Sequence, residues 1–199
     1  MKRLTYFHSI SAIYLGISAL VIALPSQAKS PAHDFFNQLK THCGKAYAGK
    51  ISVDTPQGDA FQGQELVMHV RECNEEEIRI PFHVGEDRSR TWVIRYDQYG
   101  LSLKHDHRHK DGSEDTLTQY GGTTTSIGYD SVQSFPADEY TKQLFADQKI
   151  PQSMDNVWQI FLYPEQFTYR MYRPAREFKV DFDLTQPIEA PPAPWGADQ

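Results

Sequence analysis

One stretch of sequence decides the expected fold: residues 101–120, which read LSLKHDHRHKDGSEDTLTQY. Successive side chains of a β-strand point to opposite faces. One face of such a strand therefore carries Leu101, Leu103, His105, His107 and His109. Asp111-Gly112 is typical of two-residue hairpin turns, which need positive φ at both central positions. The stretch predicts a β-hairpin whose apolar face ends in a row of imidazoles.

A two-residue turn also predicts the register of this hairpin. It places His109 opposite Glu114 and Arg108 opposite Asp115, and directly opposed residues share a face. Glu114 then joins the imidazoles, whereas Arg108 and Asp115 form an outer ion pair worth only ~0–1 kcal/mol. A slip of one residue would turn the charged Arg108 inward, so the pattern favours this register.

The beginning of the chain predicts export. Residues 1–28 combine a short basic start, an apolar stretch over residues 10–24 and small residues before a cleavage point after Ala28. This is the pattern of a secretory signal peptide, and its apolar stretch is too short to span a membrane. No later stretch approaches spanning length, so we expect a mature chain without a transmembrane segment, located in the periplasm or secreted.

Charge and cysteine content narrow the expected partners and compartment. Loss of residues 1–28 removes Lys2 and Arg3 and no acid, which changes the formal charge from −6 to −8. A surface this acidic argues against nucleic acid as a partner. Cys43 and Cys73 are the two cysteines, and an oxidising compartment favours a disulfide between them. A pair of redox or metal-binding thiolates is the alternative, although the spacing is far from CxxC.

The remaining pattern predicts an all-β, mainly antiparallel domain over residues 29–186, with short helices at residues 34–41 and 138–147. Short alternating strands and tight turns imply antiparallel neighbours around one interior. We expect a lipocalin-like up-and-down β-barrel, with a two-sheet sandwich as the alternative. The Pro-rich residues 187–199 are expected to form a disordered tail. The aromatic residues expected in the interior are Phe82, Trp92, Phe161, Phe167, Phe178 and Phe182.

Three runs of sequence carry a resemblance to a known family. They are IPFHVGEDRSRTW (residues 80–92), LKHDHRHKDGSED (residues 103–115) and VDFDLT (residues 180–185). These runs resemble a family of uncharacterised secreted bacterial proteins, which implies export and carries no known activity. The likeness to lipocalins comes from the strand pattern alone.

The histidine row is also a candidate metal site. Alternate strand residues lie ~6.6–7 Å apart, so two neighbouring imidazoles can converge on one ion, whereas three in a row span ~13 Å. The expected ligand set is therefore His107, His109 and Glu114. Imidazole and carboxylate suit a divalent transition metal such as Zn, Cu, Fe or Ni without choosing between them. The alternative is a hydrated hairpin tip whose histidines titrate near their usual pKa of ~6.5.

These features predict an exported small-molecule-binding β-barrel with a His-rich site at one end. The turn near Gly85 and the turn at Asp111-Gly112 should fall at the same end of a meander. The expected ligand-binding residues are His105, His107, His109, Glu114, Arg88 and Arg90. Two other classes stay open. One is an envelope protein that binds a partner. The other is an enzyme that uses His107 or His109 with Glu114 as acid and base, with or without a metal.

Overall fold

The structure is a computed structural model that describes Met1 and residues 30–58 and 61–197. Apart from Met1, the predicted signal peptide lies outside the described residues. Among those residues, no helix is long and apolar enough to cross a membrane.

Two α-helices lie close to their predicted positions. Helix α1 spans Pro31–Lys40, and its N-cap Ser30 accepts a hydrogen bond from the backbone N–H of His33 at 3.2 Å. Helix α2 spans Glu139–Asp147 and is capped by Asp138 in the same way. Side-chain capping of this kind satisfies backbone donors that have no partner within the helix. A 3₁₀ helix at Pro151–Asp155, which was not predicted, follows α2.

The described residues form eleven strands in one antiparallel sheet. The strands are β1 (Ala46–Thr55), β2 (Leu66–His69), β3 (Glu72–Cys73), β4 (Glu77–Val84), β5 (Asp87–Asp97), β6 (Gly100–His107), β7 (Tyr120–Thr123), β8 (Val132–Pro136), β9 (Val157–Tyr163), β10 (Gln166–Arg173) and β11 (Arg176–Asp183). Ten of them follow the order β7-β6-β5-β4-β2-β1-β11-β10-β9-β8, and β3 pairs with β4 at the side. The sheet curls into a nearly closed barrel, which confirms the predicted barrel over the sandwich.

A seam between β7 and β8 completes the barrel without a backbone ladder. Thr141 of α2 is fully buried there, and its hydroxyl accepts from the N–H of Gly121 at 2.7 Å and donates to the carbonyl of Gly121 at 2.8 Å. A Cβ at Gly121 would overlap the carbonyl of Leu103, and one at Gly122 would overlap the carbonyl of Pro136. Thr141 therefore links the seam, Gly122 lets β7 approach the end of β8, and Gly121 lets β7 approach β6.

The interior is aromatic, and α1 closes one end of it. Of the six aromatic residues expected inside, five are buried: Phe82, Trp92, Phe167, Phe178 and Phe182. Phe161 is a wrong prediction. In β9 it is Trp158, Ile160 and Leu162 that face inward, so Phe161 is half-buried on the outer face. The apolar face of α1 contributes Phe35, Phe36 and Leu39 to the same core.

The predicted disulfide is present between Cys43 and Cys73, with a Cα–Cα distance of 6.2 Å. It joins the segment that follows α1 to strand β3. Since β3 pairs with the beginning of β4, the bond fastens the helix-capped end of the barrel.

The C-terminal segment differs from the expected disordered tail, because residues 187–197 lie along the outer wall of the barrel. The N–H of Ile188 donates to the carbonyl of Ala46 at 2.9 Å. Arg88 donates from Nη1 to the carbonyl of Ala193 at 2.9 Å, and its own carbonyl accepts from the N–H of Trp195 at 3.1 Å. Proline content removes backbone donors, but these contacts use the donors and carbonyls that remain.

Candidate ligand-binding cavity

A cavity of about 230 Å³ lies inside the barrel at the end opposite α1. It is bordered by the beginning of β5, the end of β6, the end of β10 and the beginning of β11, with α2 and the 3₁₀ helix to one side. Eight of its seventeen described lining residues are aromatic, namely Phe61, Phe82, Trp92, Tyr120, Phe145, Trp158, Tyr169 and Phe178. Concave, mostly apolar spaces in the mouths of β-barrels are common ligand sites.

Ring stacking gives this lining a fixed shape. The rings of Phe82 and Trp92 stack with centroids 4.8 Å apart, and Trp92 stacks on Tyr169 at 4.4 Å with an interplanar angle of 10°. Neighbouring strands supply the first two rings, because Phe82 lies on β4 and Trp92 on β5. Packed aromatic rings of this kind hold one another in place, so the cavity has a preformed wall.

His105 lies on the inner face of β6, as predicted, and is only 3% exposed. Its Nδ1 lies 3.1 Å from the carbonyl oxygen of Tyr120, which can only accept, so Nδ1 carries the proton. Its Nε2 therefore accepts a hydrogen bond from the hydroxyl of Tyr169 at 2.8 Å. Burial, reinforced by the proximity of His107, lowers the pKa of His105 to about 3. The imidazole is neutral at pH 7.

His107 follows on the same face and lines the cavity. Its Nε2 lies 3.1 Å from the hydroxyl oxygen of Tyr120. Burial, followed by the positive charge of Arg90, lowers the pKa of His107 to about 4. Burial also raises the pKa of Tyr120 to about 12. The His107 imidazole and this hydroxyl therefore offer hydrogen bonds without charge. Groups that titrate so far from neutral pH are poorly matched to acid–base catalysis there.

The predicted register of the hairpin is wrong by one residue, because the turn is one residue longer. The N–H of His109 donates to the carbonyl of Ser113 at 2.8 Å, and Gly112 lies between them with φ +83°. Three-residue turns place glycine in this left-handed conformation. Arg108 consequently lies opposite Glu114 and donates to its carboxylate at 3.1 Å. Glu114 is on the outer face, away from the imidazoles.

The expected binding residues thus separate into two groups. His105, His107 and Arg90 line the cavity. His109 is exposed beyond the end of β6, and Glu114 and Arg88 lie outside, the latter bonded to the C-terminal segment. Within the described part of the chain no three His, Cys, Asp or Glu side chains are grouped to hold a metal ion. The proposed ligand set of His107, His109 and Glu114 is not assembled.

Two arginines lie at the cavity's mouth, each held by one carboxylate. Arg90 Nη1 bonds Asp87 Oδ2 at 2.5 Å, and Arg176 Nη2 lies 2.6 Å from Asp54 Oδ1. An irregularity in the β4–β5 pairing brings Asp87 and Arg90 together although they are three residues apart. The two guanidinium groups flank a pair of rings whose centroids are 4.9 Å apart: Arg90 lies over Phe61 and Arg176 over Phe178.

Asn156 is the most unusual polar residue of the cavity. It is 7% exposed, and its side-chain Oδ1 is buried with no hydrogen-bond partner among the described residues. Its backbone is fixed, because its N–H donates to the carbonyl of Ser153 and its carbonyl accepts from Ala137. A buried acceptor without a partner costs ~1–3 kcal/mol. The fold therefore holds an unsatisfied amide at the wall of an open space.

Neither Asn156 nor Arg176 was predicted as a site residue, although alternation carried a signal for each. Arg176 shares a strand face with Phe178 and Val180, and Asn156 precedes Trp158 by two residues. Polar side chains in phase with an inward apolar row point to a cavity.

The fold and the cavity define a β-barrel protein with a preformed interior space. No family model, curated protein or solved structure matches the chain. The resemblance to a secreted bacterial family therefore stays a prediction.

Proposed function

We propose that this protein binds a small organic molecule inside the barrel, at the end opposite α1. The observation that carries the proposal is the preformed aromatic cavity itself, whose lining includes Asn156, a residue with a buried and unpartnered side-chain oxygen. Ligand sites combine an apolar lining with a few placed polar groups that fix orientation. Here those polar groups are Asn156, the imidazole of His107 and the hydroxyl of Tyr120.

The size of the cavity limits the ligand. Liquid water occupies ~30 Å³ per molecule, so 230 Å³ corresponds to roughly eight waters or a ligand of roughly ten non-hydrogen atoms. A cavity walled mainly by aromatic rings offers water few hydrogen-bond partners. An apolar ligand with one or two polar atoms therefore complements it better than water does.

The structure gives the enzyme alternative less support. A carboxylate beside His107 or His109 was its central element, and Glu114 instead bonds Arg108 on the outer face. The partner-binding alternative has one supporting observation. Tyr99 and Ile127 are exposed beside a groove near α1. Scattered exposed apolar residues are normal on protein surfaces, so we favour the cavity.

We further propose that binding takes place outside the cytoplasm, in the periplasm or after secretion. The Cys43–Cys73 disulfide supports this location, because disulfides persist mainly in oxidising compartments. The signal-like residues 1–28 are the second support.

Calorimetric titration of the mature protein, residues 29–199, with indole tests the proposal. Indole is flat and apolar, and its N–H can donate to the Asn156 amide once that side chain turns towards the ligand. We expect saturable binding of one indole per chain. Leu117→Trp, which fills the cavity from its lining, should weaken the affinity at least tenfold. Leu144→Trp places the same ring at a half-buried position of α2 that does not line the cavity, and it should leave the affinity unchanged. Equal affinities in both variants would contradict binding in the barrel.

A further inference from the structure

We infer that the cavity selects a small carboxylate with an apolar body, and that Arg90, supported by Arg176, recognises the carboxylate. The inference rests on the proposed function, because it names the class of molecule that enters the same cavity. Each part of it comes from a different property of the lining: the sign of its charge, the way the arginines are held and the nature of the remaining surface.

The charge of the lining is opposite to that of the chain. The whole sequence has 26 acidic and 20 basic residues, which gives a formal charge of −6. Among the described residues that line the cavity, two are arginines and none is Asp or Glu. The two histidines there are neutral at pH 7, so the arginines supply the charge. Asp87 and Asp54 pair with these arginines from outside the lining, so the lining presents guanidinium donors to an anion and no carboxylate to a cation.

Arg90 is held in position and retains capacity for a ligand. Its side chain is 26% exposed, and Asp87 accepts from its Nη1. A guanidinium has five N–H donors arranged in a rigid fork that suits carboxylates. The Asp87 pair therefore fixes the side chain while further donors can serve an anion. Its position over Phe61 adds a second restraint.

Arg176 is more fully engaged, which gives it the supporting role. Its Nη1 donates to the carbonyls of Glu177 at 2.6 Å and Thr55 at 3.3 Å, and its Nη2 pairs with Asp54. These contacts leave fewer donors for a ligand than Arg90 has. Its guanidinium still lines the cavity, where it can support an anion that Arg90 holds.

The rest of the lining requires an apolar body. An inorganic anion could reach the arginines, but it would leave the rings of Trp92, Trp158 and Phe178 without a partner. A neutral apolar molecule would cover the rings and make no use of the arginines. A carboxylate of roughly ten non-hydrogen atoms satisfies both parts of the lining. Aromatic and aliphatic acids share this chemistry.

Calorimetry with matched pairs of probes tests the inference. Phenylacetate and phenylacetamide have the same shape and differ in charge, as do hexanoate and hexanamide. We expect each carboxylate to bind at least tenfold more tightly than its amide at low salt. The pair with the larger preference for its carboxylate shows whether an aromatic or an aliphatic body fits better. High salt should weaken the carboxylates and leave the amides unchanged, because ions screen partly exposed charges.

Variants assign the effect to the arginines. Arg90→Gln should remove most of the carboxylate preference, and Arg176→Gln should reduce it about threefold. Arg170→Gln is the matched control, because Arg170 is 27% exposed and paired with Glu177 but lies outside the cavity lining. Arg90→Lys, which keeps the charge but not the fork, should retain part of the preference. Should Arg90→Gln fail to fold, this variant and the salt dependence of the wild type still test the inference.

The outcomes separate the two proposals. Saturable binding in which amides match carboxylates would overturn the carboxylate inference and leave the proposed function intact. A carboxylate preference that persists in the Arg90→Gln/Arg176→Gln double variant would overturn the role of the arginines. Absence of saturable binding for both probe pairs and for indole would overturn both proposals.

Discussion

The two ends of the barrel are built from the same strands but differ in what fills them. At the α1 end, Phe35, Phe36 and Leu39 are between 0% and 2% exposed, and a disulfide fastens the adjoining segment. At the other end, the strands border a cavity whose wall holds two arginines and an unpartnered amide. The α1 end is a filled apolar core. The other end retains open volume, charged groups and an unpartnered polar atom, which a stable core would avoid.

This difference shows where stability and binding are separated in a small barrel. Apolar side chains that fill space stabilise the fold through burial and close packing. Open volume, buried charge and unpaired polar atoms reduce stability and are retained where they serve a ligand. Changes at the α1 end should therefore alter the free energy of unfolding with little effect on affinity, and changes at the cavity end should do the reverse.

The largest expected effect is at the closed end. Phe35→Ala removes a fully buried ring and should lower the free energy of unfolding by ~3–5 kcal/mol through lost burial and an unfilled space. Urea denaturation measures this loss, and indole affinity of the folded variant should not change. A loss below ~1 kcal/mol, or a large fall in affinity, would contradict the separation of the two ends.

The disulfide should come next. The Cys43→Ala/Cys73→Ala variant should lose ~3–4 kcal/mol, because the bond closes a loop with a sequence separation of 30 residues and restricts the unfolded chain. Denaturation with and without reductant separates the effect of the bond from that of the substitutions, since reductant should weaken only the wild type. Two reactive thiols in denatured, unreduced wild type would show that the bond does not form.

Acid should act on the cavity end. The pKa of His107 is about 4 in the fold and ~6.5 when unfolded, so between these values the unfolded chain binds more protons. Stability from neutral His107 is thus present above pH ~6.5 and is lost as the pH falls towards 4. In this pH window the free energy of unfolding of the wild type should fall by ~1 kcal/mol per pH unit more than that of His107→Gln, after allowance for partial exposure. Exposed His109→Gln should match the wild type, and equal slopes for both variants would refute the prediction.

The smallest expected effect is that of Asn156, at the cavity end. Asn156→Leu keeps the shape of the side chain and removes the unpartnered Oδ1, so the free energy of unfolding should rise by ~1 kcal/mol. Indole should then bind no more tightly than indene, which lacks the N–H, whereas the wild type should prefer indole. Denaturation and calorimetry measure the two effects. A destabilised variant with an unchanged preference would show that Asn156 has another role.

Strand alternation predicted most of the fold. Residues 166–173, which form β10, alternate between apolar and polar residues, and the apolar residues 157–163 form β9 between two turns, so both strands follow from the sequence. Strand β8 was missed because five residues around Phe135 carry too short a pattern. The 3₁₀ helix after α2 gave no periodic signal either. Phe161 points outward because Trp158, Ile160 and Leu162 form the inward apolar row of the same strand.

The candidate site was only partly predictable. His105 and His107 were identified because alternation determines the face of each side chain in a regular strand. Arg90 was identified as part of a charged loop at the same barrel end, and the structure places it in β5. Glu114 was misplaced because one extra turn residue, which sequence did not reveal, moves it to the outer face opposite Arg108. The cavity itself depends on which inward side chains leave space unfilled. That is a property of the packed barrel rather than of any single strand.

The seam at Gly121 and Gly122 has a consequence for how this chain can vary. Every amino acid except glycine carries a Cβ, and at both positions that atom would overlap a backbone carbonyl, which cannot move aside as a flexible side chain can. Any missense change at these adjacent codons therefore damages barrel closure, even the mildest change to alanine. A barrel of this construction therefore depends on two neighbouring positions that accept glycine alone.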